Sequence, residues 1–385
     1  MPIEQKKRKF IFLYLDTGAG HMSAARVLAK ALKEQHPDAE IEMLNGFDKY
    51  NIFGHVMFEK GYNYACNYVH GAFPLIYDIA QHRWGQTMFV LLLRHHTTNY
   101  LRKVILEKQP TDIVSFHFAL TPFVKSALRG ISWKINFTVM VTDPFTLPNA
   151  WFYENDQNYF VYSEQAKKQA VEQCGVPTKN VTVVPFLLNE KYREGALSKE
   201  KIRELRVKHG FAPDKKIVLL VGGGEGLPGA VEIVSECVLH GAPFAVAVVC
   251  GRDKAFKKTL DIFARTYPKL DLHVFGFVDY LDELVKICDC AVIKAGPATL
   301  MEVISCRKPV IIIKYIHNQE LGNMRFAVDH RVGWYIRKPG NVYKKINELL
   351  GDENFDEEMK KNFDSVHLDT DAGKVATLLL EKRAM

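Results

Sequence analysis

Short runs of β-branched and aliphatic residues alternate with amphipathic stretches along nearly the whole chain. Two of the runs, KIVLLV at 216–221 and VIII at 310–313, have almost no polar position on either face. A strand that is apolar on both faces belongs in the middle of a parallel sheet. The alternation of such strands with helical patterns predicts βα repeats, and therefore an α/β fold with parallel sheets.

A charged stretch at about 189–212 interrupts the repeats and is the best candidate for a linker. We predict an N-terminal domain over 1–190 and a C-terminal domain over 191–363, each with a doubly wound sheet. A last helix at about 364–385 is predicted to pack back on the first domain. Glycines cluster after strands in both halves, so we expect the two domains to face each other across a cleft with ligand on both sides.

The segment at 291–323 contains most of the candidate chemistry, in the predicted order strand, Gly-Pro turn, helix, strand and polar loop. Ligands of open α/β sheets bind outside the carboxyl ends of strands, where a helix N-terminus offers free N–H groups to a phosphate. Glu302, one turn into the helix, can accept two ribose hydroxyls. The later loop, with Gln319, Glu320 and Asn323, can hold a second polyhydroxyl group. Diphosphate, ribose and sugar together describe a nucleotide sugar.

A glycine-rich turn follows the predicted strand at 216–221 and precedes a predicted helix. Its residues Gly222, Gly223 and Gly224 favour a phosphate cradle over a plain turn, because bare N–H groups at a helix start attract anions. The Lys-Ser/Thr ending of a P-loop does not follow, so ATP hydrolysis is not implied.

A second turn, DTGAGH at 16–21, lies between the first predicted strand and a helix predicted at 23–35. A histidine of near-neutral pKa beside a carboxylate can act as a base, which would be the role of His21 next to Asp16. Capping of the turn by His21 is an equal alternative. Asp143 follows a predicted strand directly, either as a site residue at the carboxyl edge of the sheet or as the cap of the next turn.

The segment at 51–96 is rich in Tyr, Phe and Met and ends with the basic run Arg94, His95 and His96. Aromatic and aliphatic residues beside basic ones suit a surface that dips into a bilayer interface. They also suit the buried face of an ordinary helix, and the composition alone leaves both interpretations open.

The composition sets the remaining limits. The chain has 385 residues, of which 48% are hydrophobic and 25% charged, as in globular proteins. It lacks a run of about 18 apolar residues, so no membrane-spanning helix is predicted. Its 7 cysteines show no metal-ligand spacing, which predicts reduced thiols in a cytosolic protein. The net charge of +7 is compatible with an anionic membrane surface, but it is diffuse and no recognition module is visible, so nucleic-acid binding is not predicted.

The order of these motifs resembles that of the bacterial diacylglycerol glucosyltransferases and the plant monogalactosyldiacylglycerol synthases. More distantly, it is similar to the lipid-intermediate glycosyltransferase of peptidoglycan synthesis. The motifs that carry the resemblance are DTGAGHMSAAR at 16–26, VTD at 141–143, VGGGEGLPG at 221–229, VVCGR at 248–252, VFGFVDYLDEL at 274–284 and the segment 293–323.

The resemblance implies a GT-B fold, in which two doubly wound Rossmann-like domains face a cleft. It also implies a hexosyltransferase that needs no bound metal or other cofactor. Such an enzyme moves a hexose from a UDP-sugar, with inversion at the anomeric carbon, to a diacylglycerol-type lipid. The protein would then be cytoplasmic, with peripheral attachment to the inner face of the cell membrane.

The resemblance also assigns roles on the donor side. Glu302 would hold the ribose, Gln319 and Glu320 would hold the sugar hydroxyls, and Arg252 would offset the charge that grows on the departing UDP. The remaining predicted donor-binding residues are Gly222, Gly223, Gly224, Gly296, Thr299 and Asn323.

On the acceptor side, the resemblance places Gly18, Gly20 and Asp143 near the lipid. Either His21 or Asp16 would take the proton from the attacking hydroxyl. The residues alone do not decide between these two bases.

The chain departs from the family pattern in two places. The pair before Thr299, usually Gly-Gly, is Pro297-Ala298, which removes one possible N–H donor to phosphate. After Asp143 the family commonly has a histidine and then a tryptophan, and here only Trp151 is present. These departures leave room for transfer to a polyprenyl or soluble acceptor and for a non-catalytic GT-B relative. UDP-GlcNAc 2-epimerase is a further alternative, because it has the same two-domain fold, but it would need additional carboxylates in the cleft.

Overall fold

The computed structural model of this protein describes residues 8–16, 19–47, 82–193, 197–224, 226–316 and 318–382. The chain divides into two units. The first comprises Met1–Leu187 with Asp369–Met385, and the second is Leu188–Leu368. Each unit contains a six-stranded sheet in which all described strand pairs are parallel. The α/β class with two doubly wound sheets is therefore confirmed.

The sheet of the first unit has the strand order β2-β1-β3-β4-β5-β6. The strands are β1 (Lys9–Tyr14), β2 (Glu40–Asn45), β3 (Asp112–Ser115), β4 (Asn136–Met140), β5 (Asn158–Val161) and β6 (Val181–Val183). The order reverses between the neighbours β1 and β3. Their carboxyl ends therefore mark the topological switch point of this unit, the usual ligand position in such sheets.

The sheet of the second unit has the order β12-β11-β10-β7-β8-β9. The strands are β7 (Ile217–Val221), β8 (Ala245–Val249), β9 (Leu272–Phe275), β10 (Cys290–Lys294), β11 (Val310–Lys314) and β12 (Gly333–Tyr335). Every residue of β7 and β8 is buried, as expected for apolar runs in the middle of a parallel sheet. The switch point of this unit lies between β7 and β10.

The described helices connect the strands on both faces of the sheets. They are α1 (Ala19–Gln35), α2 (Arg83–Lys108), α3 (Thr121–Leu128), α4 (Glu164–Lys168), α5 (Lys199–Lys208), α6 (Ala230–Leu239), α7 (Lys254–Thr266), α8 (Leu281–Ile287), α9 (Pro297–Ser305), α10 (Leu321–Asp329), α11 (Pro339–Gly351), α12 (Phe355–Asp364) and α13 (Ala372–Glu381). In the described ranges, every helix is too short or too polar to cross a bilayer.

The C-terminal helix α13 completes the core of the first unit. Its residues Val375, Ala376 and Leu379 are buried in one cluster with Ala25 and Leu28 of α1. Small and aliphatic side chains on both helices allow close approach, and their burial stabilises the pair by roughly 1.5 to 3 kcal/mol per large side chain. The last described segment of the chain therefore covers the helix that follows the first strand.

The charged stretch predicted as a linker largely belongs to the second unit. Helix α5 lies within it, and the buried Arg206 of α5 donates to the carbonyl oxygen of Ile287 and to Asp289 Oδ2, the latter at 2.8 Å. A buried guanidinium with a carboxylate partner and several hydrogen bonds ties the helix to the sheet, so the high charge of the stretch does not indicate a solvated connector.

Candidate active site

His21 lies at the switch point of the first unit. The helix predicted at 23–35 begins earlier, at Ala19, so Gly20 and His21 belong to its first turn. The Nδ1 atom of His21 lies 2.7 Å from the carbonyl oxygen of Phe116 and 2.9 Å from Oγ1 of Thr142. Because a carbonyl oxygen only accepts hydrogen bonds, Nδ1 carries the hydrogen in the neutral ring, and Nε2 keeps its lone pair. The imidazole is thus held in the tautomer that a base requires.

Burial lowers the pKa of His21 from its usual 6.5 to about 4, and the hydrogen bond to Phe116 offsets only part of this shift. The prediction of a near-neutral pKa was therefore wrong. An imidazole of this pKa is unprotonated at pH 7 and available to accept a proton, although the low pKa gives only a small driving force for the proton transfer. It can take the proton of an alcohol only as the new C–O bond forms.

A second imidazole, that of His117, packs against His21 with 4.7 Å between the ring centroids. Its Nδ1 accepts a hydrogen bond from the N–H of Ala119 at 3.2 Å. Burial and the charge of His21 lower the pKa of His117 well below 6.5. His117 is therefore neutral with its hydrogen on Nε2, and sequence reasoning missed it because no motif distinguishes the run SFHF from an ordinary strand end.

Trp151 completes this cluster of rings, and its centroid lies 6.4 Å from those of both His21 and His117. The indole Nε1–H donates to Oδ2 of the buried Asp143 at 2.8 Å. One oxygen of Asp143 therefore orients the Trp151 ring, which is a role other than capping the following turn. Its contact with the acceptor stays a prediction.

The remaining acceptor-side residues have different positions. Asp16 is exposed and is the second residue after β1, whereas Gly18 lies outside the described residues. The hydrogen-bond partners of His21 Nδ1 are the carbonyl of Phe116 and the hydroxyl of Thr142 rather than a carboxylate. The expected pairing of His21 with Asp16 therefore does not orient the ring.

In the second unit, the glycine-rich turn folds tightly at the end of β7. A Cβ atom on Gly222 would lie 2.0 Å from the carbonyl oxygen of Gly226, and Gly223 has a φ of +87°. Both positions therefore require glycine, one for close backbone approach and one for its left-handed conformation. A Cβ on Gly223 or Gly224 would meet no described atom within 4 Å, so this side of the turn is open to a ligand.

Helix α9 begins across the same switch point, where Gly296 precedes Pro297 in the first helical position. The helix starts two residues before the predicted Thr299, which makes Thr299 its third residue. Proline lacks an N–H group, so the free donors of the first turn come from Ala298 and Thr299. Because β7 and β10 are neighbours, this helix start and the glycine-rich turn lie at one edge of the sheet.

Glu302 of α9 has an unusual electrostatic environment. Burial raises its pKa from 4.5 to about 7, and the charge of Asp282 contributes to the rise. Asp282 itself lies 3.8 Å from Lys286 Nζ and 3.9 Å from Lys191 Nζ. Hydrogen bonds donated by two hydroxyl groups would stabilise the ionised carboxylate, so a bound diol would reverse part of this shift.

The loop after β11 is less exposed than a sugar-binding loop was expected to be. Glu320 is buried, and its Oε2 accepts from the N–H of Ile316 at 2.8 Å. Asn323 lies in α10 and donates through Nδ2 to the carbonyl oxygen of Ala295 at 2.9 Å. Its buried Oδ1 has no partner in the described part of the chain. Gln319 keeps more exposed surface than Glu320 or Asn323.

Arg252 follows β8 at the same sheet edge. Its backbone N–H donates to the carbonyl oxygen of Gly224 at 2.8 Å, which joins it to the glycine-rich turn. The exposed guanidinium lies 5.2 Å from the ring centroid of Phe277, which is itself 65% exposed. This cation–π contact orients the charge without burying it.

Within the described residues, no group of three or more His, Cys, Asp or Glu side chains is arranged to hold a metal ion.

Two family models match the chain, one in each half. The monogalactosyldiacylglycerol synthase model matches residues 21–184, and the model of group 1 glycosyl transferases matches residues 201–365. Together they include His21 and the donor-side candidates, in chain order, whereas Asp16, Gly18 and Gly20 precede the first match.

Similar proteins carry related names. The processive diacylglycerol beta-glucosyltransferase of Bacillus pumilus is 27% identical and covers 94% of this chain, which in turn spans 91% of that protein. Monogalactosyldiacylglycerol synthase 3 of Arabidopsis thaliana is 26% identical and covers 93% of this chain, which in turn spans 77% of that protein.

Solved structures support the fold. MurG of Acinetobacter baumannii has a TM-score of 0.61 at 14% identity and covers 97% of this chain and 100% of its own. A glycosyltransferase from Rickettsia africae has a TM-score of 0.59 at 14% identity and covers 98% of this chain and 100% of its own. At these identities the likeness concerns the fold alone, and it confirms the GT-B prediction. The chain thus combines a GT-B fold with a sequence that is similar, over most of its length, to glycosyltransferases that include the diacylglycerol glucosyltransferases and monogalactosyldiacylglycerol synthases.

Proposed function

We propose that this protein transfers a hexose from a UDP-sugar to the hydroxyl group of a diacylglycerol-type lipid, with inversion at the anomeric carbon, at the cytosolic face of the membrane. The observation that carries the proposal is the oriented His21 at the switch point of the first unit. Its lone pair on Nε2 supplies the one base that an inverting displacement needs. The names of the similar proteins supply the class of acceptor.

The donor is held by the second unit in this proposal. The glycine-rich turn and the start of α9 offer N–H groups to the diphosphate, and Arg252 offsets its charge. Glu302 accepts hydrogen bonds from the ribose hydroxyls, while Gln319 is the accessible residue for the sugar. Two proteins of similar fold, S. aureus MnaA and Anabaena HepE, have been solved with UDP, which supports this type of donor.

The reaction is a single displacement. The acceptor oxygen forms a bond to the anomeric carbon while the bond from that carbon to the phosphate oxygen of UDP breaks on the opposite side. The proton of the hydroxyl moves to Nε2 of His21, and the carbonyl of Phe116 and the hydroxyl of Thr142 hold the Nδ1–H. The electron pair leaves with UDP, where N–H dipoles and Arg252 stabilise it. Asp16 remains the alternative base.

An exposed apolar face on α2 supports contact with the membrane. Met88, Leu91 and Leu92 are 58%, 63% and 64% exposed, and their spacing places them on one side of the helix. Arg94 and His95 are exposed next to them. Apolar and basic side chains in this arrangement suit an interface that contains anionic lipid. The rest of the segment for which we predicted this role, residues 51–81, lies outside the described residues.

The proposal is tested with purified protein and a panel of UDP-hexoses, with and without diacylglycerol vesicles, by measuring UDP release and glycolipid by mass spectrometry. Lipid-dependent glycolipid from one UDP-hexose is expected. It should be lost in Glu302→Ala and His21→Ala but retained in the control His36→Ala, which replaces an exposed histidine.

Other outcomes point to other functions. UDP release with a free or epimerised sugar and no lipid product would contradict the proposal in favour of epimerase or hydrolase chemistry. Such a result is compatible with the fold, because a solved putative UDP-N-acetylglucosamine 2-epimerase from Listeria monocytogenes has a TM-score of 0.61 to this chain. UDP binding without turnover would indicate a polyprenyl or soluble acceptor or a non-catalytic relative.

A further inference from the structure

A partly exposed phenylalanine, Phe118, lies one ring away from the proposed base. It begins a short 3₁₀ helix, Phe118–Leu120, directly after His117, which is the N-cap of that helix. Its ring stacks on that of His117 with 4.6 Å between centroids and an interplanar angle of 28°. It also meets Trp151 edge-on at 5.5 Å. A continuous stack of rings, here called the ring platform, thus runs from His21 through His117 to Phe118 and Trp151, and of these His21 and Phe118 are partly exposed.

Three polar groups of the platform are engaged inside the protein. The Nδ1–H of His21 is held by Phe116 and Thr142, and Nδ1 of His117 takes the N–H of Ala119. The indole N–H of Trp151 is donated to Asp143. The Nε2–H of His117 belongs to a buried ring, so a ligand that approaches His21 beside Phe118 meets the carbon atoms of the Phe118 ring and the Nε2 lone pair of His21.

This arrangement distinguishes between classes of acceptor. An alcohol carried on an apolar body places its one hydroxyl at Nε2 of His21 and its carbon atoms on the ring of Phe118. A polyol in the same position would lose water from several hydroxyl groups without gaining partners on the ring faces, which costs free energy for each unsatisfied group. The partly exposed Phe118 is the platform member with the most ring surface to offer, because His117 and Trp151 are buried.

We infer that Phe118 determines acceptor specificity, by packing against the apolar part of the acceptor next to its reacting hydroxyl. The inference rests on the proposed function and assigns to its acceptor site a residue outside the motifs of the sequence. Phe118 does not touch the reacting atoms, so it acts as a positioning residue through its contact with the carbon chain of the lipid.

The test compares Phe118→Ala, Phe118→Gln and Phe118→Leu with the wild type in mixed micelles that contain diacylglycerol. We expect Ala and Gln to raise the KM for diacylglycerol about ten-fold, the size of effect expected when a partly exposed ring loses its contact with a ligand. Leu, which remains apolar, should stay within about three-fold of the wild type. The KM for the UDP-hexose should not change in any variant.

Two controls separate specificity from folding. Phe263→Ala removes a partly exposed phenylalanine from α7 and should leave the KM for diacylglycerol unchanged. Melting temperatures show whether a Phe118 variant is merely unstable. An equal rise in the KM values for both substrates would overturn the inference. An unchanged KM for diacylglycerol in Phe118→Ala and Phe118→Gln would overturn it as well. A wild type that transfers no hexose to diacylglycerol would instead overturn the proposed function, and the inference with it.

Discussion

The affinity for a UDP-hexose is expected to fall as the pH decreases from 8 to 6, because the carboxyl group of Glu302 has a pKa of about 7 before the ligand binds. Ribose hydroxyls donate hydrogen bonds, so the ionised carboxylate is the form that binds them. About nine tenths of the group is ionised at pH 8 and about one tenth at pH 6. Since the apparent dissociation constant scales inversely with the competent fraction, it should rise about ten-fold over this range.

The assay is isothermal titration calorimetry at pH 6, 7 and 8 at constant ionic strength. A UDP-hexose is preferable to UDP, whose terminal phosphate titrates near neutral pH and would add a slope of its own. Glu302→Gln should bind the UDP-hexose weakly at every pH, and its dissociation constant should not depend on pH. Glu204→Gln, which changes an exposed glutamate of α5, should keep the wild-type slope.

The groups around Glu302 determine how the pH dependence of the dissociation constant is interpreted. Asp282 and the phenol of Tyr192 face the same carboxyl group, and burial is the larger cause of its raised pKa. A dissociation constant that is equal at pH 6 and pH 8 would refute the reasoning, as would a slope that survives in Glu302→Gln. Either result would mean that Glu302 does not hold the ribose or is already ionised in the free protein.

Further outcomes follow from the site. His21→Ala should lower kcat by about 10² to 10⁴ with little change in UDP-hexose affinity, and kcat at saturating donor should not fall between pH 8 and pH 6, because the pKa of His21 is about 4. Gly222→Ala should lower the melting temperature through its clash with backbone, whereas Gly224→Ala should keep the melting temperature and weaken donor binding. Leu91→Asp with Leu92→Asp should weaken vesicle binding more than about ten-fold in flotation assays without changing UDP-hexose affinity. EDTA should leave kcat unchanged, and a loss restored by a divalent cation would contradict the metal-free mechanism.

The parallel sheets and the turns at their edges could be predicted because their signals are local. Continuous apolar runs such as 216–221 identify buried strands, and glycines directly after them identify tight turns. Local patterns are therefore sufficient to assign Gly222 and Glu302 to the carboxyl edge of one sheet.

The acceptor side could not be predicted to the same depth, because its contacts join distant parts of the chain. The partners of His21 Nδ1 are 95 and 121 residues away, at the ends of β3 and β4. Only the strand order brings them together, and sequence patterns do not specify that order. The lowered pKa of His21 has the same origin, since it depends on burial by those strands and not on the neighbouring Asp16.

The packing of α13 on α1 has a consequence for biosynthesis. The second unit is one continuous segment, Leu188–Leu368, whereas the first unit needs residues from both sides of it. During translation, α1 leaves the ribosome long before α13, and the buried face formed by Ala25 and Leu28 stays uncovered in the meantime. We therefore expect the second unit, whose residues are contiguous, to complete its fold before the first unit. The first unit, although it is synthesised earlier, would finish last and offer its apolar surface to chaperones until then.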